Sequence, residues 1–276
     1  MLTAEQRALQ LQIRLGLGVR DHFDAAAEIE QRVDFLVELL RNTGARALVL
    51  GISGGVDSLT AGCLSQRAVQ RVREQGGDAR FVAMRLPYGT QLDEADAQAG
   101  LQVIQPDETL TVDVRSASDA MLAAVQAAGQ IFRDAGQQDF LHGNIKARER
   151  MIAQYAVAGA RGGLVVGTDH AAEALMGFFT KFGDGAADVT PLAGLNKRRV
   201  RALAGAMGAP EALVFKVPTA DLELLKPLKP DEDAFGVSYQ QIDDFLEGRD
   251  VSPEAFEIIV DTWRRSAHKR ALPIAP

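Results

Sequence analysis

Apolar residues recur along this chain at two different periods, and the switches between them lay out its elements. Residues 3–15 and 25–41 carry them at helical spacing, in the second run as Ile29, Val33, Leu36, Val37 and Leu40, and the runs stop near Gly16 and Gly44. Two leading helices are predicted. Beyond them, short β-like runs at 47–52, 81–86, 109–114 and 164–166 alternate with helical stretches. That alternation predicts an α/β fold, a mainly parallel sheet with helices on both faces. Another helical pattern covers residues 144–159. At about 100° per residue, Ile145, Met151, Ile152, Tyr155 and Ala156 form one stripe that includes Arg148, with Lys146 and Arg150 opposite. The stretch 222–236 contains Lys226-Pro227-Leu228-Lys229-Pro230-Asp231-Glu232-Asp233; charged and broken by proline, it is predicted as a surface loop. Residues 252–269 return to a helical pattern, opened by Ser252-Pro253-Glu254 and carrying Phe256, Ile259, Val260 and Trp263.

Candidate chemistry concentrates where the first β-like run meets the next helix, at Ser53-Gly54-Gly55-Val56-Asp57-Ser58. Adjacent glycines let the backbone turn sharply and bring its N–H groups close to phosphate oxygens, and the following helix adds its positive end. Asp57 at the exit of the loop points to a metal ion. The loop lacks the lysine of the GxxxxGK[ST] phosphate loop, which contacts the terminal phosphates of a nucleotide cut there. It resembles instead the SGGxDS signature of the PP-loop ATP pyrophosphatases. That resemblance implies the PP-loop (adenine nucleotide alpha hydrolase-like) fold, cleavage of ATP between the α and β phosphates, and adenylylation of a substrate oxygen.

Composition narrows the setting. With 276 residues, 47% hydrophobic and 24% charged, the chain falls within the range of one large domain, residues 1–276. A net charge of −7 argues against a nucleic-acid partner. Cys63 is the one cysteine, which excludes an internal disulfide, suits a cytoplasmic location and reads as a small buried hydrophobe. No apolar run approaches the ~20 residues that span a bilayer, so no membrane association is expected.

In open α/β sheets ligands gather beyond the carboxyl ends of the strands. Pro87-Tyr88-Gly89-Thr90-Gln91 and Gly167-Thr168-Asp169-His170-Ala171-Ala172-Glu173 occupy such places. Asp169 and Glu173 are expected on one helix face, either as solvated carboxylates or with one of the two close enough to join Asp57 on magnesium. Arg148, an arginine in an apolar stripe, requires either an ion-pair partner or an anionic or polar ligand.

A closer resemblance spans nearly the whole chain. Arg85-Leu86-Pro87-Tyr88-Gly89-Thr90-Gln91, Gly143-Asn144-Ile145-Lys146-Ala147-Arg148, the Gly167 to Glu173 segment, Gly177-Phe178-Phe179-Thr180-Lys181-Phe182-Gly183-Asp184-Gly185, Pro218-Thr219-Ala220-Asp221-Leu222 and His268-Lys269-Arg270 resemble, in order, the ammonia-dependent NAD synthetase family. The resemblance implies that ATP adenylylates the nicotinate carboxylate of deamido-NAD and that ammonia displaces AMP, giving NAD and completing its biosynthesis. It further implies that Gly51, Ile52, Ser53, Gly54, Gly55, Val56, Asp57, Ser58, Thr168, Lys197 and Thr219 bind ATP, with Asp57 and Lys197 catalytic. Asp57 and Glu173 would hold Mg2+; Arg148, Lys181, Asp188, His268 and Lys269 would contact deamido-NAD. Asp188 is also a candidate proton acceptor from ammonium. Val56 stands where family members often carry glutamine, at the variable position of the loop. The family is homodimeric with the acceptor site partly across the interface, which makes the leading helices within residues 1–44 candidates for the contact. Glutamine-dependent relatives carry a glutaminase domain with a cysteine nucleophile; no such domain is expected here, so free ammonia is the expected donor. Two other readings stay open at this point: another PP-loop ligase, such as the synthetase part of GMP synthetase or a tRNA-modifying enzyme, and a nucleotide sensor without turnover. Asp57→Ala is expected to abolish adenylylation with little effect on the fold.

Overall fold

The computed structural model describes residues 2–89, 94–220, 222–225, 229–271 and 273. Thr90, Gln91, Asp221, Lys226, Pro227 and Leu228, all quoted above, lie outside the described residues. The chain begins with α1 (Ala4–Gly16), opened by a Thr3/Gln6 capping box, and α2 (Ala25–Thr43), capped by Asp24 and closed by Gly44 at φ 69°. Then follow β1 (Ala47–Gly51), α3 (Val56–Glu74), β2 (Arg80–Arg85), α4 (Glu94–Ile104), β3 (Glu108–Thr111), α5 (Arg115–Ala127), α6 (Ala135–Arg161) and β4 (Leu164–Val165). The remainder comprises α7 (Ala171–Met176), α8 (Lys197–Ala206), α9 (Glu211–Val214), β5 (Thr219–Ala220), β6 (Lys229–Pro230), α10 (Asp231–Phe235), α11 (Tyr239–Leu246), α12 (Pro253–Arg265) and α13 (Ala267–Arg270).

Among the described residues β1 to β4 form one parallel sheet in the order β3-β2-β1-β4. Side chains alternate across it, as the two-residue period of a strand requires. Leu48, Leu50, Phe81 and Ala83 join the apolar faces of α2, α3 and α8 on one side; Ala47, Val49, Val82 and Met84 meet Ala158 of α6 on the other. Helices on both faces are therefore confirmed. A separate cluster joins Ile13 of α1 to Leu175, Ile242, Phe245, Phe256 and Ile259, so the beginning of the chain packs against its later helices.

Three expectations change. The stretch 222–236 is partly regular: Lys229–Pro230 pairs antiparallel with Thr219–Ala220, and Asp231–Phe235 is helical. Proline suits the position before a first turn, three carboxylates there favour the positive end of the helix, and Gly236 closes it at φ 74°. The C-terminal helical pattern breaks in two at Ser266. The third change concerns α6, whose buried positions include Lys146, Ala147 and Ala158, while Arg148, Ile152 and Ala156 are exposed. A period fixes which residues share a face; it does not say which face is covered.

Candidate active site

The sheet order reverses at β1, because β2 and β3 extend on one side of it and β4 on the other. Ligand sites in doubly wound sheets lie beyond the strand ends at such a reversal. The loop after β1 and the segment after β4 meet there, around a cavity of about 430 Å³. Its lining includes Gly51, Ile52, Ser53, Gly55, Val56, Asp57, Ser58, Thr168, Glu173, Lys197 and Thr219, so every residue expected at ATP except Gly54 borders one space. Gly54 makes the turn at φ 89°, and a Cβ on it would come within 3.0 Å of Ala97 N. That combination of left-handed backbone and close approach demands glycine.

The helix that leaves this loop opens without a side-chain cap. Ser53 and Ser58 bond within the loop instead: Gly55 N donates to Ser53 Oγ at 3.3 Å and Ser58 Oγ donates to Gly55 O at 3.1 Å. The first amides of α3 have no partner within the helix and border the cavity, the arrangement that receives an anion. Ile52 is anchored beneath by its amide to Met84 O, at 2.8 Å, and by its carbonyl, which accepts from buried Arg85. Gln154 Oε1 accepts from Gly51 N at 2.8 Å, tying α6 to the end of β1.

Charge is balanced locally around Asp57. Lys197 Nζ donates to Asp57 Oδ2 at 2.7 Å, and its side chain is only 1% exposed. Its place follows from sequence: Asn196 caps α8 by accepting from Arg199 N, and the Asp243 carboxylate accepts from Lys197 N and Arg198 N at 3.0 and 2.8 Å. Burial disfavours the Lys197 ammonium, but the Asp57 and Glu173 carboxylates outweigh it and leave the pKa above the ordinary lysine value. Burial likewise pushes Asp57 up, yet Lys197 and His170 hold it well below the carboxylate range. Glu173 goes the other way; burial, then the Asp57 charge, raise its pKa well above normal.

His170, to which the sequence reading gave no role, stands beside Asp57 and Glu173. It caps α7 by accepting from Glu173 N at Nδ1, and Nε2 lies 3.4 Å from Asp57 Oδ1 and 3.7 Å from Glu173 Oε2. Burial lowers its pKa against the pull of Asp57, which keeps the imidazole neutral. Asp57, His170 and Glu173 bring ligand atoms within 4.8 Å of one another. The signal was present in the spacing of His170 and Glu173 across a helix start. Asp169 behaves differently from expectation: α7 begins at Ala171, so Asp169 and Glu173 do not share a helix face. Its pKa is raised to about 7 by burial, then by Asp184 and Asp57.

Asp231 and Tyr239 were also missed. Tyr239 Oη donates to Asp231 Oδ2 at 2.9 Å, and its ring lies 4.9 Å from Lys197 Nζ. Asp231 falls in the stretch 222–236 that the pattern predicts as a surface loop, and Tyr239 lies beyond it, so the pattern places neither on a helix.

The residues expected at the acceptor are more dispersed. Lys269 borders the cavity, donating to Gly177 O and Phe179 O, both at 2.8 Å. Arg148 is exposed and donates to Lys181 O at 3.2 Å, while Lys181 Nζ lies 5.2 Å from the Phe182 ring centre. Asp188 accepts from Val165 N at 2.7 Å and from Tyr155 Oη at 3.4 Å. His268 is exposed on α13. None of these four borders the cavity. The helical-stripe argument for Arg148 is overturned at Arg148 itself, which is exposed and carries no burial penalty, although Tyr155 of the same stripe packs against the core.

An open parallel sheet with an uncapped glycine turn, a buried lysine–carboxylate pair and clustered metal-type ligands defines a nucleotide-binding α/β protein. The NAD synthase family model matches residues 28–273, and the chain belongs to that family. It is 66% identical over 269 residues to an NH(3)-dependent NAD(+) synthetase of Streptomyces coelicolor, covering 98% of each chain. It also resembles the crystal structure of NAD+ synthetase from Burkholderia pseudomallei, with a TM-score of 0.86, 59% identity, and 99% of this chain and 100% of that one covered. The structure of NMN synthetase from Francisella tularensis matches with a TM-score of 0.80 at 36% identity, covering 92% and 99%.

Proposed function

We propose that this chain is an ammonia-dependent ligase that converts deamido-NAD to NAD while ATP is cleaved to AMP and pyrophosphate, the last step of NAD biosynthesis. The observation that carries the reading is the convergence of the uncapped loop, Asp57, Glu173 and Lys197 on one cavity. A carboxylate oxygen of the nicotinate attacks the α-phosphorus, and the bond to the β-phosphate oxygen breaks. Loop amides and the Lys197 ammonium neutralise charge that develops on the departing pyrophosphate. Ammonia nitrogen then attacks the acyl carbon, AMP leaves with its oxygen, and the nitrogen sheds a proton, for which Asp188 is a candidate acceptor.

Magnesium fits the residues present. Asp57 Oδ1 is buried without a hydrogen-bond partner, and Glu173 faces it with a raised pKa that a cation would relieve. When bound, the ion would neutralise phosphate oxygens; Asp57 and Glu173 are the residues proposed to hold it.

The acceptor is assigned to Arg148, Lys181, Asp188, His268 and Lys269, completed by a second copy in a homodimer of single-domain chains. The leading helices give Ile13, Ile29, Val33 and Leu36 to their own cores, leaving Leu11, Leu15 and Phe35 as exposed contacts there. Met121, Phe140, Leu141 and Ile152 on α5 and α6 are also exposed, and they lie on the elements that carry Arg148 and Tyr155. That coincidence favours α5 and α6 for the contact. Among the described residues no helix is long and apolar enough to cross a membrane; a cytoplasmic location is proposed.

The test is a reaction of purified protein with ATP, magnesium, ammonium and either deamido-NAD or nicotinate mononucleotide, with products quantified. NAD, AMP and pyrophosphate in equal amounts are expected. ADP in place of AMP, preference for the mononucleotide, or efficient use of glutamine would overturn the corresponding part.

A further inference from the structure

We propose that Lys216 is a phosphate-binding residue of this site, supplying from a distant segment the cation that the glycine loop itself lacks. The inference rests on the amidation reading above and extends it to a residue to which that reading gave no role. Lys216 lies between α9 and β5, and its side chain is 22% exposed. Its Nζ is 3.4 Å from Gly54 O and 2.7 Å from Asp96 Oδ2, and it borders the same cavity as Ser53, Asp57 and Lys197.

Electrostatics explains the need. Lys197 shares its charge with Asp57 deep in the site, and the positive end of α3 amounts to about half a charge. A triphosphate carries several negative charges, and Asp57 and Glu173 offset much of what a magnesium ion would bring, so a further cation beside the loop is favoured at its outer phosphates. Lys216 stands one hydrogen-bond length from the loop backbone, where a modest swing of its flexible stem reaches an anion held by the loop amides. Asp96 pairs with it there. That pair is partly exposed, at 22% and 42%, and a pair in that setting is weak enough to yield to phosphate. A lysine brought from another segment also binds pyrophosphate only while its own segment is in place, which links leaving-group retention to the position of residues 216–219.

Calorimetric binding of magnesium pyrophosphate to the whole protein tests this without any acceptor, and steady-state kinetics test it in turnover. In K216M the dissociation constant of magnesium pyrophosphate and the KM for ATP are expected to rise roughly 10- to 100-fold, the loss of one charge-assisted hydrogen bond. The KM for deamido-NAD is expected to change less than about threefold. K216R, which keeps the charge, should recover most pyrophosphate binding, and D96N, which keeps the lysine, should stay within about threefold of the parent protein. Equal losses in K216M and D96N would mean a structural tie and overturn the proposal; so would unchanged pyrophosphate binding in folded K216M. Failure of the parent protein to make NAD would sink the amidation reading alone, because pyrophosphate binding is read separately.

Discussion

On the side of the cavity proposed for ATP, Ser53, Asp57, Glu173, Lys197 and Thr219 arrive from the β1–α3 loop, α7, α8 and β5 and border one space. Of the residues proposed for the acceptor only Lys269 does so, while Arg148, Lys181, Asp188 and His268 stand outside it. The difference follows from the charges each side must manage. Asp57, Glu173 and Lys197 are buried or nearly so, where an unpaired charge is expensive, and their mutual pairing has to be built within one chain. Arg148 and Asp188 sit near water, where charges tolerate dispersal but bind weakly. A site made of exposed groups becomes selective only when another surface covers them, which is the part a second copy is proposed to play.

The largest break in the comparison should come from Asp57. Replacing it with alanine leaves the Lys197 ammonium buried beside a raised-pKa Glu173, so the structure revises the expectation that the fold is little affected. A loss of ~3–5 kcal/mol in unfolding free energy is expected for Asp57→Ala. Asp57→Asn keeps a polar partner and is the cleaner probe; the rate of NAD formation should fall on the order of 100- to 1000-fold or more, with secondary structure intact by circular dichroism. If Asp57→Asn turned over at near the parent rate, the nucleotide half would not be where the chemistry happens.

Magnesium binding sharpens the same half through its pH dependence. Asp57 stays ionised because Lys197 and His170 outweigh its burial, whereas burial, then the Asp57 charge, raise the Glu173 pKa and so favour its protonated form. A protonated carboxyl is a poor ligand, so the ion must displace that proton. Below the Glu173 pKa, apparent magnesium affinity should therefore rise up to about tenfold per pH unit, with about one proton released per ion. Glu173→Gln should remove both the proton release and most of the affinity. Calorimetry in buffers of different ionisation enthalpy reads the proton count, and a pH-independent affinity would count against the ligand pair.

The two halves also differed in how far residues announced themselves. The loop could be read from its local pattern because strand, glycines and helix are contiguous, and geometry followed from backbone rules alone. Lys197 needed the family resemblance, since its burial depends on Asp243 and Asp57, brought from far along the chain. His170 was hidden by its double duty as helix cap and neighbour of Asp57. For Arg148 the helical period was right and the direction wrong: α6 turns its polar Lys146 inward, where Leu222 O accepts from Nζ at 2.8 Å and the Tyr88 ring lies 4.2 Å away. Polar groups satisfied by a distant loop are invisible to a hydrophobic pattern. The same loop is held through Asp139, which accepts from Leu224 N and Leu225 N at 2.9 and 2.8 Å.

Arg148 offers the smallest and most discriminating break. Its guanidinium reaches Lys181 O and is otherwise near solvent, so Arg148→Ala should leave stability within about 0.5 kcal/mol. If it contacts deamido-NAD, the KM for that substrate should rise roughly tenfold while the KM for ATP changes little, the loss expected for a charge-assisted contact. Met121→Glu places a charge on the exposed side of α5, on a different helix from Arg148. Should α5 and α6 form the contact between copies, this variant should sediment as a monomer and reproduce the selective rise in acceptor KM, because the covering surface is lost. A monomer with unchanged acceptor KM would separate the interface from the site, and equal loss for both substrates in Arg148→Ala would take the acceptor role away from Arg148.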